Sequence, residues 1–502
     1  MESPTNWDYQ PVYPSRSGCT AYDGSKVFEV GPGKAYTSLK AVPWLTLIPC
    51  DQVHVYYSAT PYRDIVFLSS RGAANRWITI KGIPGPNGEL PILDGVNAVM
   101  PKNTGANEWV DSTGLIIINR PDGNLVNRSG SYKPGYIHIS GLKFQNARPP
   151  AKVTKINGVA SAWDAFSAGI TINGAEQVAI TGCEFKDNGL GVFANSTGDE
   201  LVQTRNLLLK GNYFRGNSNT NSFSEHNAYT EGVGTVYEDN YFAPPKADSY
   251  GDNIKDRSAG IIFRNNYIEG GANLIALRDP DSNKSHEAKQ VDFWGEMMVA
   301  SAFVYNNTLV TRNYPDSIIG HGDGPYSTQQ IRYGNLYFYS NRVVSTVDNV
   351  GYWENGQYYE NQAVALFDLI NTTAPGGATT VVAQNNLFYA TNRTAGATGA
   401  NLALFYWQGK ASFQSNWVNR FQNVREGSGG GTLAPGSKFN GTGLGGLTAT
   451  PSVSPGFIDQ AGGNYLTNTT SPYASLNSAL PLAVTKRKLE PVGLPPTRPF
   501  ER

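Results

Sequence analysis

A short hydrophobic pattern recurs along the chain. β-branched or aromatic residues lead into a polar position, usually Asn, and two further large residues follow it. The second Asn of successive copies falls at Asn212, Asn240, Asn266 and Asn307, which are steps of 28, 26 and 41 residues. A period of 20–50 residues built from short strands and turn residues indicates a solenoid, in which a long step is one coil plus an insertion.

Stacked coils explain this pattern physically. Alternate strand side chains point inward, and coils that stack about 4.8 Å apart bury a continuous apolar ladder. Asn suits the turn because it tolerates the left-handed conformation and its amide can bond along the stack. A β-sandwich is an alternative, whereas the blade signatures of a propeller are not found. The sequence predicts an all-β, single-domain parallel β-helix over 29–484, with an N-terminal extension, 1–28, and an extended tail, 485–502, packing on the coils.

Composition narrows the expected partners. The 40 basic residues balance 40 acidic ones, so a whole-chain attraction to nucleic acid or to a membrane surface is not indicated. No stretch of the sequence approaches the roughly 20 apolar residues of a membrane span. We therefore expect neither nucleic acid nor membrane as a partner, and a monomer.

Cysteine usage and the start of the chain bear on the compartment. Cys19 and Cys50 are candidates for a disulfide in an oxidising compartment, and no cysteine has the spacing of a metal site. The first residues lack a basic and apolar leader. We interpret the chain as a secreted or periplasmic protein whose signal peptide has been removed, with a cytoplasmic protein as the alternative.

Basic residues recur at nearly one phase of the repeat. His226, Lys255, Arg278 and His321 follow their aligned asparagines by 14, 15, 12 and 14 residues. A shared phase places side chains in one column, and alternation would turn the intervening apolar residues to the core. The sequence therefore predicts an outward stripe about 15 Å long, which suits an anionic polymer.

Further residues are predicted to widen this stripe into a groove. Alternation turns Asn253 and Arg257 outward together with Lys255. Loops that project from one face of a solenoid commonly build its binding site, so the insertion after Arg278 is expected to wall the groove. The remaining predicted site residues are Tyr229, Glu225, Asp252, Asp279 and Trp294.

Several segments resemble a known group of proteins. The segments VGPGKAYTSL (30–39), WITIKG (77–82) and PILDG (91–95) resemble the first coils, and PGFID (455–459) the last coil, of bacterial right-handed parallel β-helix proteins of the pectate-lyase-like type. The resemblance covers nearly the whole chain. It is specific for architecture and weak for activity, because this fold hosts lyases, hydrolases, epimerases and phage spikes.

Two segments resemble one branch of that group more closely. EHNAY (225–229) followed by GDNIKDRS (251–258) is similar to the core of alginate and chondroitin lyases. The resemblance implies that Lys255 is the base and Arg278 its partner. The family's acidic residues for calcium are poorly matched by DSYGD (248–252), so no cofactor is expected to be required, and calcium stays open.

The predicted chemistry is β-elimination from a uronate of an acidic polysaccharide. The C5 proton becomes acidic when the adjacent carboxylate is neutralised, and the developing charge needs fixed cations. Arg257 and Arg278 can clamp the carboxylate bidentately. His226, Tyr229 and Lys255 compete for the roles of base and acid, and a neighbouring cation favours the neutral amine that a base requires.

Two alternatives remain open at this stage. A glycoside hydrolase needs two carboxylates about 5–9 Å apart. Its candidates are Asp252, Asp256, Asp279, Asp281, Glu225 and Glu231. A non-catalytic carbohydrate-binding or spike protein would instead stack sugar rings on aromatic side chains such as Trp294, Tyr305 and Tyr333.

Overall fold

The computed structural model describes most of the chain up to residue 346 and shorter segments beyond it. The described residues are 12–102, 110–120, 132–196, 203–278, 301–311, 317–322, 335–346, 352–354, 357–359, 364–369, 380–392, 402–407, 410–419, 421–422, 432–433, 439–441, 455–460, 464–471 and 474. The predicted tail, 485–502, lies outside them.

Three long sheets contain most of the strands. Sheet 1 has thirteen strands, in this spatial order: β1 Val27–Val30, β2 Gln52–Tyr56, β4 Ile78–Ile83, β8 Gly135–Ser140, β13 Glu176–Thr181, β16 Arg205–Lys210, β19 Val236–Glu238, β22 Ile261–Arg264, β25 Ala302–Tyr305, β28 Asn335–Tyr339, β33 Thr380–Gln384, β36 Lys410–Gln414 and β39 Thr432–Leu433.

Sheet 2 has eleven strands, in this order: β3 Val66–Leu68, β7 Gly114–Ile118, β12 Ala168–Asn173, β15 Leu190–Asn195, β18 Ala228–Thr230, β21 Ile254–Asp256, β24 Asn273–Leu277, β27 Ser317–His321, β32 Val364–Leu369, β35 Leu402–Trp407 and β38 Phe421–Gln422.

Sheet 3 also has eleven strands: β5 Ile92–Asp94, β9 Lys143–Gln145, β14 Glu184–Lys186, β17 Tyr213–Arg215, β20 Tyr241–Phe242, β23 Tyr267–Glu269, β26 Thr308–Thr311, β29 Arg342–Thr346, β34 Leu387–Thr391, β37 Asn416–Val418 and β40 Phe439–Gly441.

Smaller elements complete the described structure. One small sheet contains β6 Ala98–Val99, β10 Lys152–Thr154 and β11 Ala160–Ala162, and two antiparallel pairs are β30 Tyr352–Glu354 with β31 Gln357–Tyr359 and β41 Phe457–Asp459 with β42 Asn464–Thr467. A short 3-10 helix, Leu39–Ala41, precedes β2. No helix in the described part of the chain has the length and apolar character that crossing a bilayer requires.

The path of the chain defines the architecture. One coil runs through β16, β17 and β18, and the next runs through β19, β20 and β21, so each coil gives one strand to each long sheet. Equivalent strands of consecutive coils pair in parallel. The described residues therefore form a parallel β-helix, which confirms the predicted all-β fold.

An asparagine ladder occupies the corner between sheet 1 and sheet 3. The side chain of Asn266 accepts hydrogen bonds from the backbone N–H and the amide of Asn240 (both 3.0 Å), and its own amide donates to Asn307 (3.0 Å) and to the carbonyl of Tyr237 (2.9 Å). The ladder continues through Asn212, Asn240, Asn266, Asn307, Asn341, Asn386 and Asn416. From Asn212 to Asn386, each buried amide group thus donates to the asparagine of the next coil.

The left-handed residue of each corner precedes the ladder asparagine. Gly211, Asp239, Asn265 and Asn306 have φ values of 64°, 55°, 57° and 57°. The sequence predicts one asparagine that both adopts the left-handed conformation and bonds along the stack. In the structure two adjacent residues do this: the first makes the turn and the second forms the hydrogen bonds.

The core is a set of ladders inside the coils. The rings of Phe144, Phe185, Phe214 and Phe242 stack at centroid separations of 5.1, 4.7 and 4.5 Å. All four are fully buried, and burial of each side chain contributes about 1.5–3 kcal/mol.

The N-terminal arm, residues 12–26, contacts the outer side of sheet 1. Arg16 donates to the backbone carbonyls of Trp77 (3.0 Å) and Cys50 (2.8 Å), and a disulfide joins Cys19 to Cys50. The Tyr13 hydroxyl donates to Glu238 and accepts from Arg264, both at 2.8 Å. The candidate disulfide is therefore present, and the arm reaches coils far along the chain.

Candidate functional site

The predicted site lies on sheet 2. The register of its strands shows which residues are level, that is, which pair across neighbouring strands. Tyr229 pairs with Lys255, Lys255 with Ala276, and Ala276 with Gly320. The adjacent positions Ala228, Ile254, Ile275 and Ile319 are fully buried in the core. Alternation therefore turns the Lys255 row outward, and this outer surface of β18, β21, β24 and β27 is the candidate site.

The predicted column of four basic residues is wrong in its register. His321 is level with Leu277 and Asp256, which point inward, and His321 itself is only 3% exposed. Arg278 follows Ala276 by two residues, on the level of Arg257. The four residues do not share one level because the loops that lead from sheet 3 to sheet 2 differ in length from coil to coil.

Three of the four side chains nevertheless belong to one electrostatic cluster. Arg278, His226 and Lys255 all act on the charge of Asp252. The guanidinium of Arg278 reaches the next coil, where Nη1 donates to the carbonyl of Gly322 at 2.7 Å. Its Nη2 lies 3.5 Å from the position that a side chain at Gly320 would occupy. The absence of a side chain at Gly320 leaves room for this guanidinium.

Tyr229 lies among the cations. The Lys255 ammonium lies over its ring, 5.0 Å from the centroid, and Arg257 Nε donates to its hydroxyl oxygen at 3.0 Å. A guanidinium has no acceptor, so the phenol oxygen accepts this bond and its own proton is directed elsewhere. Lys255 and Arg278 are partly exposed, whereas Tyr229 and Arg257 are 9% and 7% exposed. The cluster thus combines two accessible cations with a phenol held by a third.

His226 lies beneath this surface. Its Nδ1 is 3.1 Å from the carbonyl oxygen of Asp252, so Nδ1 carries the proton in the neutral ring. Burial lowers the pKa of His226 to about 4, and the positive charge of Lys255 acts in the same direction, against the opposing effect of Asp252. Nε2 has no hydrogen-bond partner among the described residues, and the ring meets Tyr229 edge to face at 5.8 Å. His226 is therefore a neutral residue with no exposed surface.

Asp252 is held as a carboxylate. One oxygen accepts from the backbone N–H of Asn273 (3.1 Å) and from its side-chain amide (2.5 Å). Burial alone would raise the pKa of Asp252, but the positive charge of Arg278, with the hydrogen bond from Asn273 and the charge of Lys255, outweighs it and the pKa is lowered. A carboxyl that keeps its charge orders the cations beside it and is poorly suited to act as a general acid.

Asp256 lies on the inner side of β21, between Lys255 and Arg257 in the chain. Its carboxylate accepts from Thr230 (2.7 Å), from Tyr237 (2.8 Å) and from the backbone N–H of Ser258 (2.5 Å). This arrangement places Asp256 outside the groove, which removes it from the hydrolase candidates. The inner carboxylate instead holds the backbone that carries the two outward cations.

Two predicted binding residues have buried side chains. The amide of Asn253 accepts from Asn227 (2.8 Å) and donates to the carbonyl of Glu269 (2.8 Å), so the predicted outward orientation of Asn253 is wrong. Asn253 precedes β21, where the chain still turns and strand alternation does not apply. Glu225 is 2% exposed. Asp279, Asp281, Trp294 and Tyr333 lie outside the described residues.

The sequence offered no signal for two features of this surface. Gly320 was not predicted to belong to the site. Asp368, which was not predicted either, occupies the outward position level with Gly320 in the next strand. Among the described residues, the group of at least three potential metal ligands that lie close together is Cys19, Asp23 and Cys50. Both cysteines are joined in the disulfide, so this group does not offer thiolate ligands.

In comparisons with known proteins, the chain is similar to several solved structures. No protein-family model matches the sequence, and no curated protein does. An alginate lyase from Paenibacillus sp. str. FPU-7 shares 15% identity, covering 70% of this chain and 91% of that one, with a TM-score of 0.39. A double mutant of the tailspike protein of E. coli bacteriophage HK620 shares 12%, covering 84% of this chain and 60% of that one, with a TM-score of 0.45. DFA-IIIase from Arthrobacter chlorophenolicus A6 without its lid shares 12%, covering 77% and 82%, with a TM-score of 0.36.

Proposed function

We propose that the protein binds an acidic polysaccharide on the outer surface of sheet 2 and cleaves it by β-elimination. The observation that carries the proposal is the arrangement of Lys255 and Arg257 around the phenol of Tyr229, with Arg278 level with Arg257 on the next coil. Arg257 holds the phenol oxygen at 3.0 Å, and Lys255 lies over the ring. Fixed cations beside a proton donor are what an elimination requires.

Electrostatics favour an anionic substrate at this place. The whole chain has no net charge, so the cations of sheet 2 form a local feature. Asp252 lies buried beneath them and is 8% exposed. Partial burial strengthens the attraction between these cations and a bound carboxylate, because the local dielectric constant is lower than that of water.

The proposed reaction uses three roles. Lys255, an ammonium in the resting site, first gives a proton to solvent, and its amine then takes the C5 proton of a uronate. The electrons of the C5–H bond form the C4–C5 double bond, and the C4–O bond breaks. Tyr229 gives its proton to the departing oxygen, and Arg257 stabilises the phenolate that remains. Arg278 neutralises the uronate carboxylate, a task for which its planar fork is suited.

Hydrolysis has weaker support in the described residues. A hydrolase requires one carboxyl group that stays protonated as the acid. The charges beside Asp252 lower its pKa, and Asp256 points into the core. Among the described residues, neither Asp252 nor Asp256 therefore supplies this acid.

Incubation with alginate, pectate, hyaluronan and chondroitin tests the proposal. Elimination produces the ultraviolet absorbance of an unsaturated uronate, and Lys255→Ala or Tyr229→Phe should reduce its rate by about 10²–10⁴-fold. Lys186→Ala, on sheet 3, is the control and should retain the wild-type rate. New reducing ends without absorbance would indicate hydrolysis, and binding without either signal would indicate a carbohydrate-binding module.

We further propose that the protein is secreted or periplasmic. The Cys19–Cys50 disulfide supports an oxidising compartment. Fractionation of the source cells should place the protein outside the cytoplasm with both cysteines protected from thiol reagents. Recovery from the cytoplasm with both thiols reactive would contradict this.

A further inference from the structure

Two aromatic side chains, the exposed Phe223 and the partly exposed Tyr250, form a pair at the edge of sheet 2. The rings of Phe223 and Tyr250 stack with their centroids 4.9 Å apart and an angle of 25° between their planes. Phe223 is 58% exposed although one face of its ring is covered by Tyr250. The pair therefore presents an apolar aromatic surface to solvent.

The backbone holds this pair in place. Phe223 lies in the loop that leads into β18, and Tyr250 lies in the loop that leads into β21. The N–H of Asn221 donates to the carbonyl of Asp248, and the N–H of Tyr250 donates to the carbonyl of Ser222, both at 2.8 Å. The two loops are thus bonded to each other as neighbouring strands are, and the rings are preorganised before any ligand arrives.

The pair lies close in the chain to the candidate site. Tyr250 precedes Asp252 by two residues and Lys255 by five. A chain of five residues spans at most about 18 Å. A polymer that contacts Lys255 therefore has further sugar units within reach of the aromatic pair.

We infer that Phe223 and Tyr250 form a stacking platform for a sugar ring of the polysaccharide bound at Lys255. An aromatic ring offers large, rigid apolar area, which matches the C–H face of a pyranose, and it does not depend on the charge of the sugar. The platform lies at most about 18 Å from Lys255 along the chain and adds affinity for polymers long enough to cover both. This inference rests on the proposed function for the identity of the ligand.

Calorimetric titration with oligosaccharides of two to eight units tests the platform. The titrations use the Tyr229→Phe background, in which the proposed elimination is slowed, and include oligogalacturonates, oligoalginates and neutral xylo-oligosaccharides. Phe223→Ala should weaken binding of the longest ligand about tenfold and remove the gain in affinity with length. Phe223→Tyr keeps the aromatic ring and should retain the gain in affinity with length. Tyr22→Ala removes an aromatic side chain that is 98% exposed on the N-terminal arm and should change neither value.

The outcomes separate the platform from the proposed function. The platform alone is overturned if affinity still rises with ligand length in Phe223→Ala, while acidic oligosaccharides bind and the wild-type protein forms unsaturated uronate. Binding of neutral but not acidic ligands, lost in Phe223→Ala, supports the platform and overturns the acidic substrate. Failure of every oligosaccharide to bind overturns both.

Discussion

Two of the three corners of each coil differ in how they are built. At the corner between sheet 1 and sheet 3, one left-handed residue and one asparagine recur in coil after coil, with amide bonds of 2.8–3.1 Å along the ladder. At the corner that leads into sheet 2, the loops differ in length and sequence. His226, Asp252 and the Phe223–Tyr250 pair all belong to this second corner.

The difference shows where stability and function reside. A repeated corner gives every coil the same partners, so it fixes the stacking distance and the order of the strands. A variable corner can place different side chains on neighbouring coils without disturbing that stack. Substitutions at the first corner should therefore change stability, and those at the second should mainly change activity.

Asn266→Ala should have the largest effect on stability. It removes four hydrogen bonds at a buried position, with Asn240 (two), Asn307 and Tyr237. At about 1 kcal/mol each, the free energy of unfolding should fall by about 4 kcal/mol, measured by urea denaturation. Asn265→Gly, at the adjacent left-handed position with φ of 57°, is the control and should change it by less than about 1 kcal/mol. Similar losses in both variants would contradict the separate roles.

His226 should make the variable corner sensitive to acid. Burial lowers its pKa to about 4, whereas an unfolded histidine titrates near 6.5. Between these values protons bind the unfolded state preferentially, so its contribution is constant above pH 6.5 and is lost as the pH falls towards 4. The loss is about 3 kcal/mol. Unfolding of wild type and His226→Gln at pH 7.5 and 4 should show this difference, and parallel pH profiles would contradict the assignment.

Asp256→Asn probes the inner side of the strand that carries the cations. The variant keeps the shape of the side chain but loses the charge that three donors share. We expect a loss of about 2 kcal/mol in stability. Turnover should fall about tenfold, through displacement of Lys255 and Arg257, with little change in KM. Tyr237→Phe removes one of the donors and should give a smaller loss of both. Wild-type turnover in Asp256→Asn would show that the inner carboxylate does not position the cations.

Gly320→Ala should have the smallest effect on stability. The added methyl group would lie 3.3 Å from Asn273 Oδ1 and 3.5 Å from Arg278 Nη2. Stability should change by less than about 1 kcal/mol, since the Asn273 side chain has to shift by only a few tenths of an ångström and the contact with Arg278 is an ordinary van der Waals distance. KM for the acidic substrate should rise because the methyl group fills the space beside the Arg278 guanidinium and limits its movement towards a bound carboxylate. An unchanged KM would mean that Arg278 does not use this space when the substrate binds.

The sequence predicted the regular corner and failed at the variable one for a physical reason. Tyr229, Lys255, Ala276 and Gly320 are level in sheet 2, yet they follow their ladder asparagines by 17, 15, 10 and 13 residues. A fixed number of residues after the ladder asparagine therefore does not identify residues that pair across neighbouring strands. An error of one residue turns a side chain to the opposite face of the sheet. This is why His321 was placed outward, while Lys255, at the centre of its short strand, was placed correctly.

The N-terminal arm has a consequence for the time course of folding. Tyr13 bonds to Glu238 and Arg264, which are 225 and 251 residues later in the chain. At about 5–20 residues per second, synthesis reaches Arg264 roughly 10–50 s after Tyr13 has been made. Coils can form as they emerge, because each needs only its neighbour. The arm cannot dock fully until β22, the eighth strand of sheet 1, has been made. Its docking therefore reports that the middle of the stack has been completed.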